Sequence, residues 1–196
     1  MANVSYRIPA QVDDPECRQW LEAAIEAGKP GPEYQSIRSH APGVMRSFTK
    51  SREWIYHEGF LEFELKELVR AYIALSGDCA YCSRQGVARE YHDDQHKLDD
   101  LLGYRTSEQY THRQKLAMRY ADAIMWDPAE ADEAMWEELR VEFSEPEVVE
   151  LGYWIGFTFG GQRWLKTLGS TQGQLQDAIA AAGADVLVTG HSIVSD

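Results

Sequence analysis

Glycine and proline cut this chain into helix-length pieces, and between them the strand-type alternation of apolar and polar residues is nearly absent. Such a pattern confines the chain to an all-α fold. Asp14 and Pro15 have the character of a cap and a first-turn residue for a helix carrying Cys17, Trp20, Leu21, Ala24 and Ile25, closed by the Gly28 to Pro32 stretch. Pro42 starts a second helix through Met45, Phe48, Trp54 and Ile55, ended by Gly59. Over about 60–76, residues Leu61, Leu65, Leu68, Val69 and Tyr72 fall on one face at helical spacing, and that stripe is read as core. Further helices are predicted over about 107–126, 130–143 and 145–168, with Ser144 as a cap and Pro128 and Pro146 as punctuation. A short helix after Thr171 runs through Ile179 and leads to the tail GADVLVTGHSIVSD.

At 196 residues, with no repeat, low-complexity tract or linker, the chain fits one domain, which buries roughly 70% of the surface its unfolded form exposes. Trp 6, Tyr 10 and Phe 6 supply a well-filled core without disulfide staples. The net charge of -13 opposes a general nucleic-acid or anionic-membrane surface. No stretch approaches the roughly 18 to 20 consecutive apolar residues of a membrane span, and MANVSYRIPAQVDDPE lacks a basic start followed by an apolar run. A cytoplasmic protein is expected.

Two of the three cysteines stand in Asp78-Cys79-Ala80-Tyr81-Cys82. Gly77 terminates the preceding helix and Asp78 caps a new one running towards His92, so the CxxC falls in a first turn. Unpaired backbone N–H groups and the helix dipole favour a thiolate there, which is the nucleophilic form at neutral pH. The same spacing also serves as half of a zinc site or as two unrelated buried cysteines, and a second ligand pair at zinc spacing is missing from this chain. Cys17 is read as a buried bystander.

Glu67 is the carboxylate singled out for chemistry. Phe63, Ala71 and Ala74 lie on its side of the helix, with Glu64 as the polar exception, so it points into a partly apolar groove where desolvation disfavours its charge. A solvated acid beside Glu62 and Glu64 is the other reading, and Lys66 and Arg70 are available as partners in either. A base, an attacking thiol and a second thiol that closes a disulfide make a self-sufficient set needing no cofactor or metal. From Glu67 to Ser76 the helix rises about 13 Å, so direct contact between Glu67 and a thiol does not follow and an intermediary must carry the proton. The glycines of ELGYWIGFTFGGQR each cost about 1 kcal/mol of helix stability relative to alanine. They are read as a small-residue face for close approach of another helix or subunit; no strand precedes them, as a phosphate loop would require.

Glu64-Leu65-Lys66-Glu67-Leu68-Val69 followed by Cys79-Ala80-Tyr81-Cys82 resembles the carboxymuconolactone decarboxylase and alkylhydroperoxidase D superfamily, in its peroxidase-related branch. The similarity runs on through Gly103, KLAMRYAD at 115–122, LRVEFSEPEVVELGYWIG at 139–156, Arg163 and Leu168-Gly169. It covers about 38–169, with 1–37 as an N-terminal and 170–196 as a C-terminal extension of one domain. It implies an alkylhydroperoxidase D-like helical bundle assembled as a dimer, trimer or hexamer. It also implies a thiol site in which Cys82 attacks peroxide, Cys79 resolves, and Glu67 with a histidine relays the proton.

That histidine position, four residues after the second cysteine, is Gly86 here. His92 and His96 are candidate substitutes, as are His57 and, in the tail, His191. Retention of the CxxC points to redox chemistry rather than lactone decarboxylation. The expected function is therefore CxxC-dependent reduction of hydroperoxides or exchange of disulfides, fed by an external dithiol. The alternative is a catalytically weakened oligomeric scaffold or small-molecule binding protein in which Gly86 opens a pocket.

Overall fold

The computed structural model describes residues 2–77 and 100–183. Among these the regular structure is entirely helical. Eight α-helices follow one another: α1 Pro15–Ala27, α2 Pro32–Arg38, α3 Pro42–Ser51, α4 Phe63–Ser76, α5 His112–Met125, α6 Glu133–Glu142, α7 Glu145–Thr167 and α8 Gln174–Ala181. A π-helical segment, Arg52–His57, continues α3.

The chain divides into two compact units, 1–49 with 165–196 and 50–164. In the first, Asp14 caps α1 by accepting the Cys17 N–H at 3.0 Å, and Gly28 ends the helix in the left-handed region with φ 68°. Its core joins Ile8, Val12, Cys17, Leu21 and Met45 to Leu175 and Ile179 of α8. The N-terminal arm is strapped down by hydrogen bonds. Asn3 N donates to the Leu168 carbonyl at 2.8 Å, and the Tyr6 hydroxyl meets Ser170 Oγ and Gln174 Oε1, each at 2.6 Å.

Helix α2 was not expected: the sequence reading ends one helix over Gly28 to Pro32 and assigns no element between there and Pro42. Only Tyr34 and Ile37 give its seven residues an apolar period, yet all are buried. Ser36 Oγ accepts from Arg7 N and donates to Arg7 O, both at 2.8 Å, and Arg38 donates to Gln35 at 3.0 Å while its guanidinium lies 3.6 Å from the Phe48 ring centre. Polar pairing makes the polar residues of this helix buriable.

In the second unit the stripe of α4 does form core: Leu65, Val69, Tyr72 and Ile73 pack with Leu116, Met118, Ala121, Leu139, Leu151 and Ile155. Helix α5 begins with a Thr111/Gln114 capping box and α6 with an Asp132 cap. The expected single helix from Pro42 to Ile55 gives way after Ser51 to the π segment. A π turn holds an extra residue and so rotates the side chains beyond it. Tyr56 is turned into the core while Trp54 is left exposed.

Gly59 ends this segment for a steric reason. A Cβ at that position would stand 2.1 Å from Glu150 Oε1. Gly59→Ala should therefore displace the Glu150 carboxylate and destabilise the protein by about 2–3 kcal/mol, measured as a lowered thermal midpoint; an unchanged midpoint would show that the carboxylate has room to move.

Candidate functional site

Helix α4 ends at Ser76, two residues before the segment that carries the CxxC, so its side chains are the described groups nearest in sequence to the thiols. Cys79, Cys82, Gly86, His92, His96 and His191 lie outside the described residues. The geometry of the site is that of Glu67 and its neighbours.

Glu67 is fully buried, with 0% of its surface exposed. Arg70, one turn along α4, holds its carboxylate through Nε at 2.8 Å to Oε1 and 3.0 Å to Oε2, and Nη2 adds a bond to Oε1. The Tyr56 hydroxyl donates to Oε2. Burial, then the Glu67 charge, push the Tyr56 phenol well above its ordinary value, so it stays a donor. The Tyr56 ring stacks 5.1 Å from Trp154, tilts against Phe63 at 4.8 Å, and carries the Arg52 guanidinium 4.9 Å from its centre. Glu67 thus sits among apolar side chains, as the helix face suggested, with its charge compensated by Arg70.

Lys66, the other partner available in the sequence, turns elsewhere. It is 1% exposed, donates to the Ile55 carbonyl, and meets Glu150 Oε1 at 3.1 Å. Glu150 in turn accepts the backbone N–H groups of Phe60 and Leu61. Trp154 Nε1 donates to the Lys66 carbonyl at 2.9 Å, tying α7 to α4. The two charged residues side by side in the sequence therefore have distinct duties: Lys66 anchors the π segment and Glu67 receives its tyrosine.

A second buried carboxylate, which the sequence reading did not single out, is Asp122 on α5. Tyr72 donates to Oδ1, while Tyr104 and Arg105 donate to Oδ2, each at 2.7 Å. Burial followed by the hydrogen bond to Asp122 pushes Tyr72 up to about 12 and Tyr104 further. The signal in the sequence is an acid one turn after Met118 and three residues before Met125.

His57 is exposed at the end of the π segment. Arg52 Nη1 donates to its Nε2 at 3.2 Å, and its ring meets the Tyr56 ring edge-on at 4.8 Å. Among the described residues no group of three His, Cys, Asp or Glu is placed to hold a metal ion. None of their helices is long and apolar enough to cross a membrane.

No protein-family model matches the chain. Two uncharacterised proteins of Mycobacterium tuberculosis, MT2376 of strain CDC 1551 / Oshkosh and Rv2313c of strain ATCC 25618 / H37Rv, are each 34% identical to it over 89 residues, 44% of this chain. The match spans 31% of the length of those relatives. Among solved structures, an uncharacterised peroxidase-related protein from Ralstonia eutropha JMP134, described as an alkylhydroperoxidase AhpD core, superposes with a TM-score of 0.73 at 20% identity, over 87% of this chain and 91% of that one. The fold is alkylhydroperoxidase D-like.

An uncharacterised peroxidase-related protein from Silicibacter sp. TM1040 gives 0.70 at 19% identity, over 87% and 94%. A protein of unknown function from Agrobacterium tumefaciens, ATU0492, described as a candidate antioxidant defence protein AhpD, gives 0.61 at 21%, over 68% and 93%. The resemblance read from the sequence thus extends to the alkylhydroperoxidase D-like fold.

Cys17 lies apart from this site, in the core of the first unit. Burial, reinforced by Asp14, pushes its thiol up to about 11. At pH 8 only about one molecule in a thousand then carries the thiolate, so Cys17 should resist iodoacetamide in the native protein and react only on unfolding. Peptide-resolved mass analysis checks this, and fast native labelling would contradict the burial.

Proposed function

We propose that this chain is a dithiol oxidoreductase that reduces hydroperoxides, or exchanges disulfides, through Cys79 and Cys82. The observation that carries the reading is the burial of Glu67, charge-compensated, on the helix that runs directly into the CxxC segment. The alkylhydroperoxidase D-like fold and the peroxidase-related description of its structural neighbours support the same chemistry.

In the proposed cycle the Cys82 thiolate attacks the terminal peroxide oxygen. An S–O bond forms, the O–O bond breaks, and the departing alkoxide takes a proton to leave as an alcohol. Cys79 then attacks the sulfenic sulfur, a disulfide forms, and water leaves. An external dithiol returns the pair to its reduced state, which fits the reducing conditions of a cytoplasm. Glu67 acts as the base for thiol activation, at a distance along α4 that requires an intermediary.

Self-association belongs to the same proposal. On α7, Val149, Tyr153 and Trp164 are 72%, 52% and 40% exposed, and Gly156 and Gly160 between them have open space where a Cβ would be. An apolar strip of this kind is a surface for a second copy of the chain. Tyr153→Lys should lower the oligomer mass measured by light scattering; an unchanged mass would place the contact on another face.

A weaker catalyst, or a small-molecule binding protein, is the second reading, favoured by Gly86 at the histidine position. Thiol reactivity separates the two. Cys82→Ser should abolish peroxide-dependent thiol consumption and Glu67→Gln should slow it by about 10² to 10⁴. Unchanged turnover in Cys82→Ser would sink the assignment of the attacking thiol, and slow alkylation of both cysteines in the unsubstituted protein would favour the binding reading.

A further inference from the structure

Helix α7 presents one exposed line along its length. Glu145, Val149, Tyr153, Gly156, Gly160 and Arg163 all lie in solvent. At about 100° per residue, their steps of three or four positions keep them within an arc of about 80°. Val149 and Tyr153 are 72% and 52% exposed, while a Cβ at Gly156 or Gly160 would meet nothing within 4 Å. The line therefore carries two bulky positions in its first half and two bare ones in its second, with an acid at one end and a base at the other. The span from Glu145 to Arg163 is about five whole turns, or about 27 Å of helix, so the two charges fall on the same side.

These end charges stand outside the internal ion pairs. Among the described residues neither the Glu145 nor the Arg163 side chain forms an ion pair or a hydrogen bond, although acids outnumber bases 32 to 19 in the chain. Arg163 is nonetheless held in place. Its guanidinium lies 5.1 Å from the ring centre of Trp126 and 5.1 Å from that of Phe159, and the two rings meet edge-on at 5.8 Å. Such stacking restricts the arginine while leaving its N–H donors without an acid, so less freedom is lost when a carboxylate arrives. Trp126 is itself 51% exposed. Tyrosine, tryptophan and arginine are the residue types that dominate binding energy at protein interfaces. A small anion would engage only the Arg163 end and leave Val149 and Tyr153 in water.

We propose that two copies of this chain pair through α7 in antiparallel orientation about a two-fold axis, Glu145 of each copy forming an ion pair with the partner's Arg163. The proposal rests on the self-association proposed above for the same strip and gives it a register. In an antiparallel pair, setting 145 against 163 sets 149 against 160 and 153 against 156, to within one residue. Tyr153 then stands over the bare backbone of the partner's Gly156, Val149 over that of the partner's Gly160, and each helix end meets the opposite charge. The glycines, unfavourable in a helix on their own, are what let the two backbones approach. A parallel pairing would set Arg163 against Arg163, Tyr153 against Tyr153 and glycine against glycine, with like charges together and gaps beside the glycines. The antiparallel contact is self-complementary and closed, so any larger assembly that contains it has an even number of copies.

Charge reversal tests the register. Glu145 and Arg163 are both exposed, so neither substitution disturbs the core. Arg163→Glu sets two acids together at each end of the contact, and Glu145→Arg sets two bases. Each variant alone should raise the dimer dissociation constant at least about tenfold in low salt, read by light scattering across protein concentration. Part of that loss should return as added salt screens the repulsion. Mixing the two variants restores both ion pairs in a heterodimer, so the mixture should regain the unsubstituted mass at concentrations where each variant alone is monomeric. Gly156→Leu is an uncharged check. It has room in the single chain and favours helix, yet fills the space taken by the partner's Tyr153, so it should give a monomer with unchanged circular dichroism.

Dissociation of both charge variants without rescue on mixing overturns the antiparallel register, as does an unsubstituted oligomer with an odd number of copies. If Tyr153→Lys dissociates the protein while both charge reversals leave its mass unchanged, the strip remains the interface and the ion-paired register falls. An unsubstituted protein that is monomeric throughout overturns the register and the self-association together. The dithiol reading is tested separately, by alkylation of Cys79 and Cys82.

Discussion

The buried ion pair of Lys66 and Glu150 is the constraint from which the second unit takes its form. Lys66 is 1% exposed and Glu150 8%, and neither could bear that burial alone. Each completes its bonding with backbone groups of the segment before α4: Lys66 with the Ile55 carbonyl, Glu150 with the N–H groups of Phe60 and Leu61. Phe60 and Leu61 lie outside any helix, so Glu150 supplies their N–H groups with partners that water would otherwise provide. With Ile55 fixed, Tyr56 is fixed, and the Tyr56 hydroxyl reaches Glu67. An ionic interaction outside the candidate site thereby sets the geometry within it. Such pairs specify position more than they stabilise, since attraction largely offsets the cost of dehydrating two charges.

Three buried carboxylates show how neighbours divide labour among chemically identical groups. Glu150 is bound by an ammonium and two backbone N–H groups and acts as a joint between α7 and the turn at Gly59. Glu67 is held by the Arg70 fork and one phenol, a rigid arrangement about two and a half turns from the end of its helix. Asp122 is bound by two phenols and an arginine that is largely in solvent. Burial is common to all three; what differs is the identity and exposure of the groups that compensate it.

Much of the helical order was legible in the residues. The Asp14 cap, the Gly28 stop, the α4 stripe and the Asp132 to Thr167 pair of helices follow from local rules, because capping and apolar periodicity depend only on residues within a turn or two. Helix α2 escaped because only Tyr34 and Ile37 give it an apolar period, while its buried polar residues are held by bonds from Ser36 to Arg7 and Arg38 to Gln35 and by the Arg38 contact with the Phe48 ring. The π segment escaped because no local signal distinguishes Arg52–His57 from a continuation of α3; its register follows from the bond of Ile55 to Lys66. Among the described residues, Tyr56 and Asp122 were the site-forming groups that the sequence reading did not single out.

The sequence by itself determined that this chain is helical, acidic and equipped with a CxxC after a helix bearing Glu67, since propensity, charge and spacing are properties of neighbouring residues. Only the tertiary structure decided which of Lys66 and Arg70 would partner Glu67, that a tyrosine eleven residues upstream would bond to it, and that Tyr72 and Tyr104 would converge on Asp122. Those outcomes turn on which atoms lose water together. Arg70 lies one turn from Glu67, but the tyrosines reach their carboxylates only when separate elements pack, and nothing within one turn of the chain encodes that meeting.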